Sequence, residues 1–521
     1  PAPRRPASRL ASKAAAAVRP PRRSAGPAAA RQELHVRIGL VPLDNRPACV
    51  RTPRMLVRVA GAQLVLPPSE AIDGPGGAGS PEALQVWLRD TAASLDGLVV
   101  AMEQVAGVSG GGQGAAVAAM GRLGVLRDIR RDHPDVQLLA STVARPRPVA
   151  GPHAPALTEL AELHDRHSRG EDVAAKISTA EAAIPETVRG EAAARRMAAH
   201  MVQLAALDLV ADGTLDLLVV GAGTGTSGAD LQRSWMTTWL RQLLLGQRAE
   251  LLHADVALGS TLVMRLLNRE RPKPIAVGFC SPVPGAEKRP VAEGATVART
   301  VLRQLRVLGA ESAASDVDFV LALHPPPPPD RPPATSDEDP ERAAATLADE
   351  LTRLHALNVP VALADIASQD GGSSTLVERL RSRIDLPRLA GYAAGQTAGD
   401  ALASALTQGC VRVAASTDDA RAAAQLWLLR RLLDDWGYQG KVRGRIRRRL
   451  TNDTGSPEPT EANLAAVEVD IERDLSGILA QLPRFTGRYR IVPGSTRLPW
   501  QRTDECDFEL ERLDLPPAER R

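Results

Sequence analysis

The chain has 521 residues, 44% hydrophobic and 24% charged, enough apolar material for two or three packed cores. Aromatic residues make up only 2%, which argues against stacking platforms for single-stranded nucleic acid and against aromatic cages for cations. The net charge of +3 hides an asymmetry: residues 1–32 carry eight basic side chains and no acid, so the remainder stands at −5 and offers no general nucleic-acid surface.

The Ala/Arg/Pro/Ser composition of residues 1–32 predicts a disordered tail, with an organelle transit peptide as the alternative. From Leu34 the texture changes. His35–Val41 reads as a strand ending in the polar turn Pro42-Leu-Asp-Asn-Arg-Pro47, followed by a helix over 52–60 and a strand over 63–67. Ser80 before Pro81 and Glu82 marks a helix start, and Asp96–Met102 reads as a buried strand. A glycine-rich loop, a helix to Arg131 and the strand Val136–Thr142 follow. Helices are predicted near 155–168 and 187–211, then the strand Leu215–Gly221, a second glycine-rich loop and a helix over 229–246. Strands over Pro274–Cys280 and Val317–Leu323 flank a helix over 291–308.

Beyond the five-proline run Pro325–Pro329, a helix leads to the strand Val359–Ala364 and Asp365. Helices are expected near 373–383, 397–407, 417–435 and 459–481, with a strand at Val411–Ala415 and two late strands at Arg488–Val492 and Asp507–Leu510. This alternation predicts an α/β fold with mostly parallel sheets covered by helices. The expected division is a tail (1–32), α/β domains at 33–150 and 151–324, a proline-rich linker (325–340), and a third α/β and helical domain (341–521).

In parallel sheets, ligands gather where strands end. That rule selects Asp44, Asn45 and Arg46 after the first strand, Glu103 and Gln104 after the third, Thr224 in the second glycine-rich loop, and Asp365 with Asp370 after a later strand. Asp44, Glu103, Asp365 and Asp370 are candidate catalytic carboxylates for acid–base work, or ligands for a hard cation, provided that they share a cleft. Alone, each is a cap or turn residue. Arg46 either clamps an anionic substrate or pairs with Asp44. The glycine-rich loops lack a Gly-Lys-Ser/Thr ending and so are not P-loops. The four cysteines and nine histidines show no metal-ligand spacing, and the basic run Lys441–Arg449 reads as a solvated face or a phosphate contact. No cofactor is indicated. No apolar run has membrane-spanning length, and a cytoplasmic location without a membrane or nucleic-acid partner is expected.

Several segments carry a resemblance: Val41-Pro-Leu-Asp-Asn-Arg-Pro47, Ala211–Leu218, Val361–Ile366 with Gly371-Gly372, Leu386–Tyr392, Thr397-Ala-Gly399, Leu432–Gln439 and Leu498-Pro-Trp500. In these the chain resembles the bacterial domain of unknown function 4127 family over roughly residues 36–513. The resemblance adds Gln396 and Thr397 as candidate substrate-binding positions but implies no particular activity. Departures fall on polar loops: Asn45 replaces a second aspartate, Ala222-Gly223-Thr224 stand where Gln-Asp-Asp is usual, and Gln396 and Asp400 differ as well. Two readings follow: hydrolase-type chemistry on a polar small molecule or glycan, or a catalytically degenerate ligand-binding or scaffold protein.

Overall fold

The computed structural model describes residues 36–74, 77–108, 115–143, 153–222, 230–292, 295–326, 340–395 and 397–513. The basic tail, the greater part of both glycine-rich loops, Thr224, Gln396 and the proline-rich run from Pro327 onward lie outside the described residues. Among the described residues the chain forms two compact units, one of residues 36–53 and 62–267, the other of residues 54–61 and 268–513.

The first unit is built on β1 (Arg37–Val41), β2 (Gln63–Val65), β3 (Gly97–Ala101), β4 (Gln137–Val143), β5 (Leu217–Gly221) and β6 (Ala249–Leu252). They lie in the order β2-β1-β3-β4-β5-β6, every neighbour parallel. Both faces of such a sheet are covered, which is why β3 and β5 read as unbroken apolar runs and are buried throughout. Helix Pro81–Ala92 starts where its sequence says it should: the Ser80 hydroxyl accepts from the Ala83 amide at 3.1 Å, and Pro81 occupies the first turn, where no amide is needed. It packs Leu84, Leu88 and Ala92 into the core with side chains of helices Ala115–Asp132 and Glu186–Ala211.

The second unit holds β7 (Ala276–Cys280), the short antiparallel pair β8 (Pro290–Ala292) and β9 (Ala295–Thr296), then β10 (Glu311–Ser312), β11 (Phe319–His324), β12 (Val361–Asp365) and β13 (Gly391–Ala394). Its sheet runs β10-β7-β11-β12-β13, again all parallel. In a late antiparallel pair, β14 (Tyr489–Ile491) falls inside the expected strand Arg488–Val492, while β15 (Leu510–Arg512) begins where the expected Asp507–Leu510 ends. One face of the sheet is packed by helices Pro340–Ala356, Ser374–Arg383 and Leu464–Leu479 around a core of Leu363, Tyr392, Leu433, Trp436 and Phe508. Helix Ala398–Ala414 lies on the other, where Gly409 lets the Phe319 ring approach so closely that a Cβ would stand 2.3 Å from it.

Two expectations are corrected. Val411–Ala415, expected as a strand, closes helix Ala398–Ala414; its alternating valines are overridden by a helix buried along almost its whole length. The sheets also ignore the expected three-domain breaks, since β4 and β5 pair across residue 150 and β11 and β12 pair across the proline-rich stretch. Among the described residues no helix is long and apolar enough to cross a membrane.

Candidate functional site

The order β2-β1-β3 makes the carboxyl ends of β1 and β3 the point where the winding of the first sheet reverses, and ligands of open α/β sheets collect at such crevices. Asp44 lies there, 1% exposed. Its carboxylate accepts the Arg46 amide at 3.0 Å, and Arg46 Nε reaches both oxygens at 3.0 Å. Arg46 Nη2 also stands 3.0 Å from Oδ2, so of the two roles expected for Arg46 the pairing one is filled. The Gln104 side chain stitches the edge together, donating to the Leu43 carbonyl at 2.8 Å and accepting from the Asp73 amide at 3.2 Å. Asp73 in turn takes the Asn45 amide on its carbonyl at 3.1 Å. Asn45 is held under Gly74, where a Cβ would fall 2.3 Å from its side-chain nitrogen.

Glu103 turns toward β4 instead, where Oε1 accepts from Thr142 Oγ1 at 2.5 Å and from the Val143 amide at 2.9 Å. Asp44 and Glu103 thus engage different partners on one sheet edge. A cavity of about 10 Å³, lined by Pro42, Cys49, Ser141, Val143, Asp255 and Gly259 among others, lies at these strand ends. That is room for about one water.

The second sheet carries a denser polar cluster. In the parallel register His324 stands opposite Asp365, and side-chain alternation puts both on the face that also takes Val320, Ala322 and Leu363 into the core. His324 Nδ1 lies 2.7 Å from Asp365 Oδ1, with both residues buried. The other oxygen of Asp365 accepts the Ser373 amide at 2.6 Å, and the Ser373 hydroxyl caps helix Ser374–Arg383. The carboxylate is therefore fixed from two sides and orients the imidazole, leaving Nε2 for another group.

Next to this pair, on the same face, stands Tyr392. It is wholly buried, its hydroxyl has no hydrogen-bond partner, and a Cβ on Gly372 would lie 2.0 Å from that oxygen. Burial, with the Asp365 and Asp435 carboxylates nearby, holds the Tyr392 hydroxyl well above its ordinary range. Asp435 comes from the π-helix Leu432–Val442, which continues helix Asp418–Arg431 with an i→i+5 winding often found at functional sites. Its carboxylate accepts the Ala394 amide at 2.7 Å and Arg431 Nη2 at 2.6 Å. Burial pushes Asp435 up to about 7 against the pull of Arg431, and neighbouring Asp434, itself raised by burial, adds to the effect. The Asp435 carbonyl accepts the Gly372 amide at 2.9 Å, tying the loop after β12 to the π-helix.

Of the other expected site residues, Asp370 is exposed on that loop, its amide on Ser368 Oγ at 3.0 Å. Thr397 caps helix Ala398–Ala414, accepting the Asp400 amide at 2.9 Å and donating to the Asp400 carboxylate at 2.7 Å. Among the described residues no three His, Cys, Asp or Glu side chains are grouped to hold a metal ion. The basic run is largely consumed internally: Lys441 pairs with Glu378, Arg445 with Asp474, Arg447 with Glu458 and Arg449 with Asp470.

Sequence reasoning missed His324, Tyr392, Arg431 and Asp435. His324 had a signal: it ends its strand one residue beyond the predicted limit, where the strand-end rule would have selected it. Tyr392 sits on a four-residue strand, Gly-Tyr-Ala-Ala, too short and too weakly β-forming to stand out. No curated protein and no solved structure matches the chain. Residues 38–509 match the family model described as protein of unknown function (DUF4127), and the chain belongs to that family.

Proposed function

We propose that the chain is a hydrolase-type enzyme acting on a polar small molecule or glycan, with its acid–base group at the carboxyl edge of the five-stranded sheet. The observation that carries this reading is the buried His324–Asp365 pair at 2.7 Å, its carboxylate held by the Ser373 amide. A histidine whose Nδ1 is engaged by an oriented carboxylate keeps one tautomer and stabilises the cation that forms when Nε2 takes a proton. In this reading His324 is the base that activates water, Asp365 orients it, and the exposed acid Asp370 is available to a bound substrate. Asp44, Arg46 and Glu103 form the polar edge of the other sheet, with Arg46 committed to Asp44.

The test is turnover of a panel of p-nitrophenyl glycosides, esters and phosphates by the full chain. His324→Ala and Asp365→Asn are expected to lower kcat/KM by about 10²–10⁴, the usual weight of general acid–base catalysis. Unchanged turnover in both folded variants would sink the assignment. One observation favours the ligand-binding alternative: Asp44 and Asp435 already have arginine partners, as expected of a self-satisfied scaffold. A glycan or metabolite that raises the melting temperature while mass spectrometry finds no product would support that reading instead.

A further inference from the structure

Only six tryptophans occur in the chain, and two of them, Trp235 and Trp239, stand one turn apart on helix Asp230–Gln242 with 46% and 43% of their surface exposed. The stripe continues past the helix end into Leu243 and Leu244. Leu244 is 86% exposed and has a φ of 50°, a left-handed backbone that a bulky residue rarely adopts. An adjoining row of exposed side chains comes from helix Glu186–Ala211, where Met197 and Leu204 are exposed and the His200 ring lies 5.1 Å from that of Trp235. The inner side of helix Asp230–Gln242 is accounted for by Met236, which is wholly buried in the core.

Along the chain, the segment that carries the tryptophans and leucines has charge of one sign. From residue 231 to residue 249 there is no acid, while Arg233, Arg241 and Arg248 are all present, in a body that is otherwise net negative. Arg241 and Arg248 are exposed at the end that carries Leu243 and Leu244. A second copy of the chain docking through the same patch about a two-fold axis would bring like charges together. Tryptophan and leucine beside arginine, without acids, is instead the composition that beds into the headgroup region of an anionic bilayer.

We propose that this face docks on an anionic lipid surface, with Leu243 and Leu244 inserting at the tip, the two indoles lying at the headgroup level, and Arg241 and Arg248 meeting lipid phosphates. The contact is peripheral and reversible.

The experiment is co-sedimentation of the full chain with vesicles of phosphatidylcholine alone and of phosphatidylcholine with 30% phosphatidylglycerol, a composition of about that order being enough to give a negative surface. The expected result is binding to the anionic vesicles, at least about tenfold weaker binding to the neutral ones, and loss of binding in about 0.5 M salt, where screening shortens the reach of surface charge. Trp235→Ser with Trp239→Ser, and separately Arg241→Glu with Arg248→Glu, should each weaken binding about tenfold or more. Circular dichroism must show that both variants fold. Absence of binding to anionic vesicles, or equal binding by the folded variants, overturns the proposal. So does a concentration-dependent dimer in sedimentation velocity that the tryptophan variant abolishes, because the face would then belong to a second copy.

Discussion

Replacing Gly372 with alanine probes the polar cluster at its tightest point. The added Cβ would lie 2.0 Å from the Tyr392 hydroxyl and 3.3 Å from Cα and Cβ of Trp436, whereas real Cβ atoms essentially never come within 3.0 Å of a neighbour. Something must therefore move by about 1 Å, and Tyr392 is wholly buried on a central core face with nowhere to swing. Overpacking of this kind costs about 1–3 kcal/mol, and the depth of the clash puts Gly372→Ala near the top of that range. Tyr392→Phe removes the offending oxygen. Because that hydroxyl has no hydrogen-bond partner, its loss alone should be neutral or stabilise by about 1 kcal/mol. In the Tyr392→Phe background the alanine should cost only about 1 kcal/mol, from the remaining contacts with Trp436. Urea unfolding followed by tryptophan fluorescence, run as a double-mutant cycle, should give a coupling of about 1.5 kcal/mol or more. Additivity within about 0.5 kcal/mol refutes the reasoning, as does a Tyr392→Phe variant that loses more than about 1 kcal/mol.

Asp435 predicts a pH dependence with a definite sign. Its folded pKa of about 7 lies above the ordinary 3.8, so the folded state holds the extra proton, and stability should fall as pH rises from about 4 to about 7, then level off. Asp435→Asn should flatten the decline in melting temperature, and an unchanged slope would contradict the assignment. Ser373→Ala should cost about 1 kcal/mol through the lost cap while the backbone amide still holds Asp365, a combination that chemical denaturation and the His324 ring signals in NMR can check together. Leu244→Asn should stabilise by about 0.5–1 kcal/mol in thermal unfolding by relieving the left-handed backbone, and a loss of stability would mean that the leucine side chain is packed.

Much of the scaffold was legible because its signals are local. Ser80 before Pro81 marks a helix start, and Leu217–Gly221 is apolar at every position because both faces of its sheet are covered. The candidate site was legible only in part. Asp365 could be picked from its place at a strand end, but its partner His324 lies 41 residues away and meets it only through the register of β11 on β12. The π-helix was invisible for a different reason: Leu432–Val442 continues an ordinary helical pattern, and only the π winding packed against Gly371 and Gly372 brings Asp435 beneath the end of β13. The mistaken strand at Val411–Ala415 shows the converse, a local pattern outweighed by burial of the whole helix.

Both sheets share one winding. In each, the second strand added lies outside the first (β2 beside β1, β10 beside β7), and the strands that follow, four in one sheet and three in the other, run off on the opposite side. The third and fourth strands of that series end in a bonded side-chain pair in both units. In the first it is Glu103 on Thr142, an acid on a hydroxyl; in the second it is His324 on Asp365, an imidazole on an acid. The topology supplies the same place twice, so the difference between the two edges is chemical. A carboxylate bonded to a hydroxyl and an amide has no basic nitrogen to offer, whereas a histidine whose Nδ1 is held by a carboxylate keeps a second ring nitrogen. If one edge of this protein moves protons, this comparison selects the five-stranded sheet. It also makes the substitution to try first the one that erases the difference, Asp365→Thr, which takes the orienting charge from His324 and the acceptor from the Ser373 amide and should cost about 1–3 kcal/mol in urea unfolding.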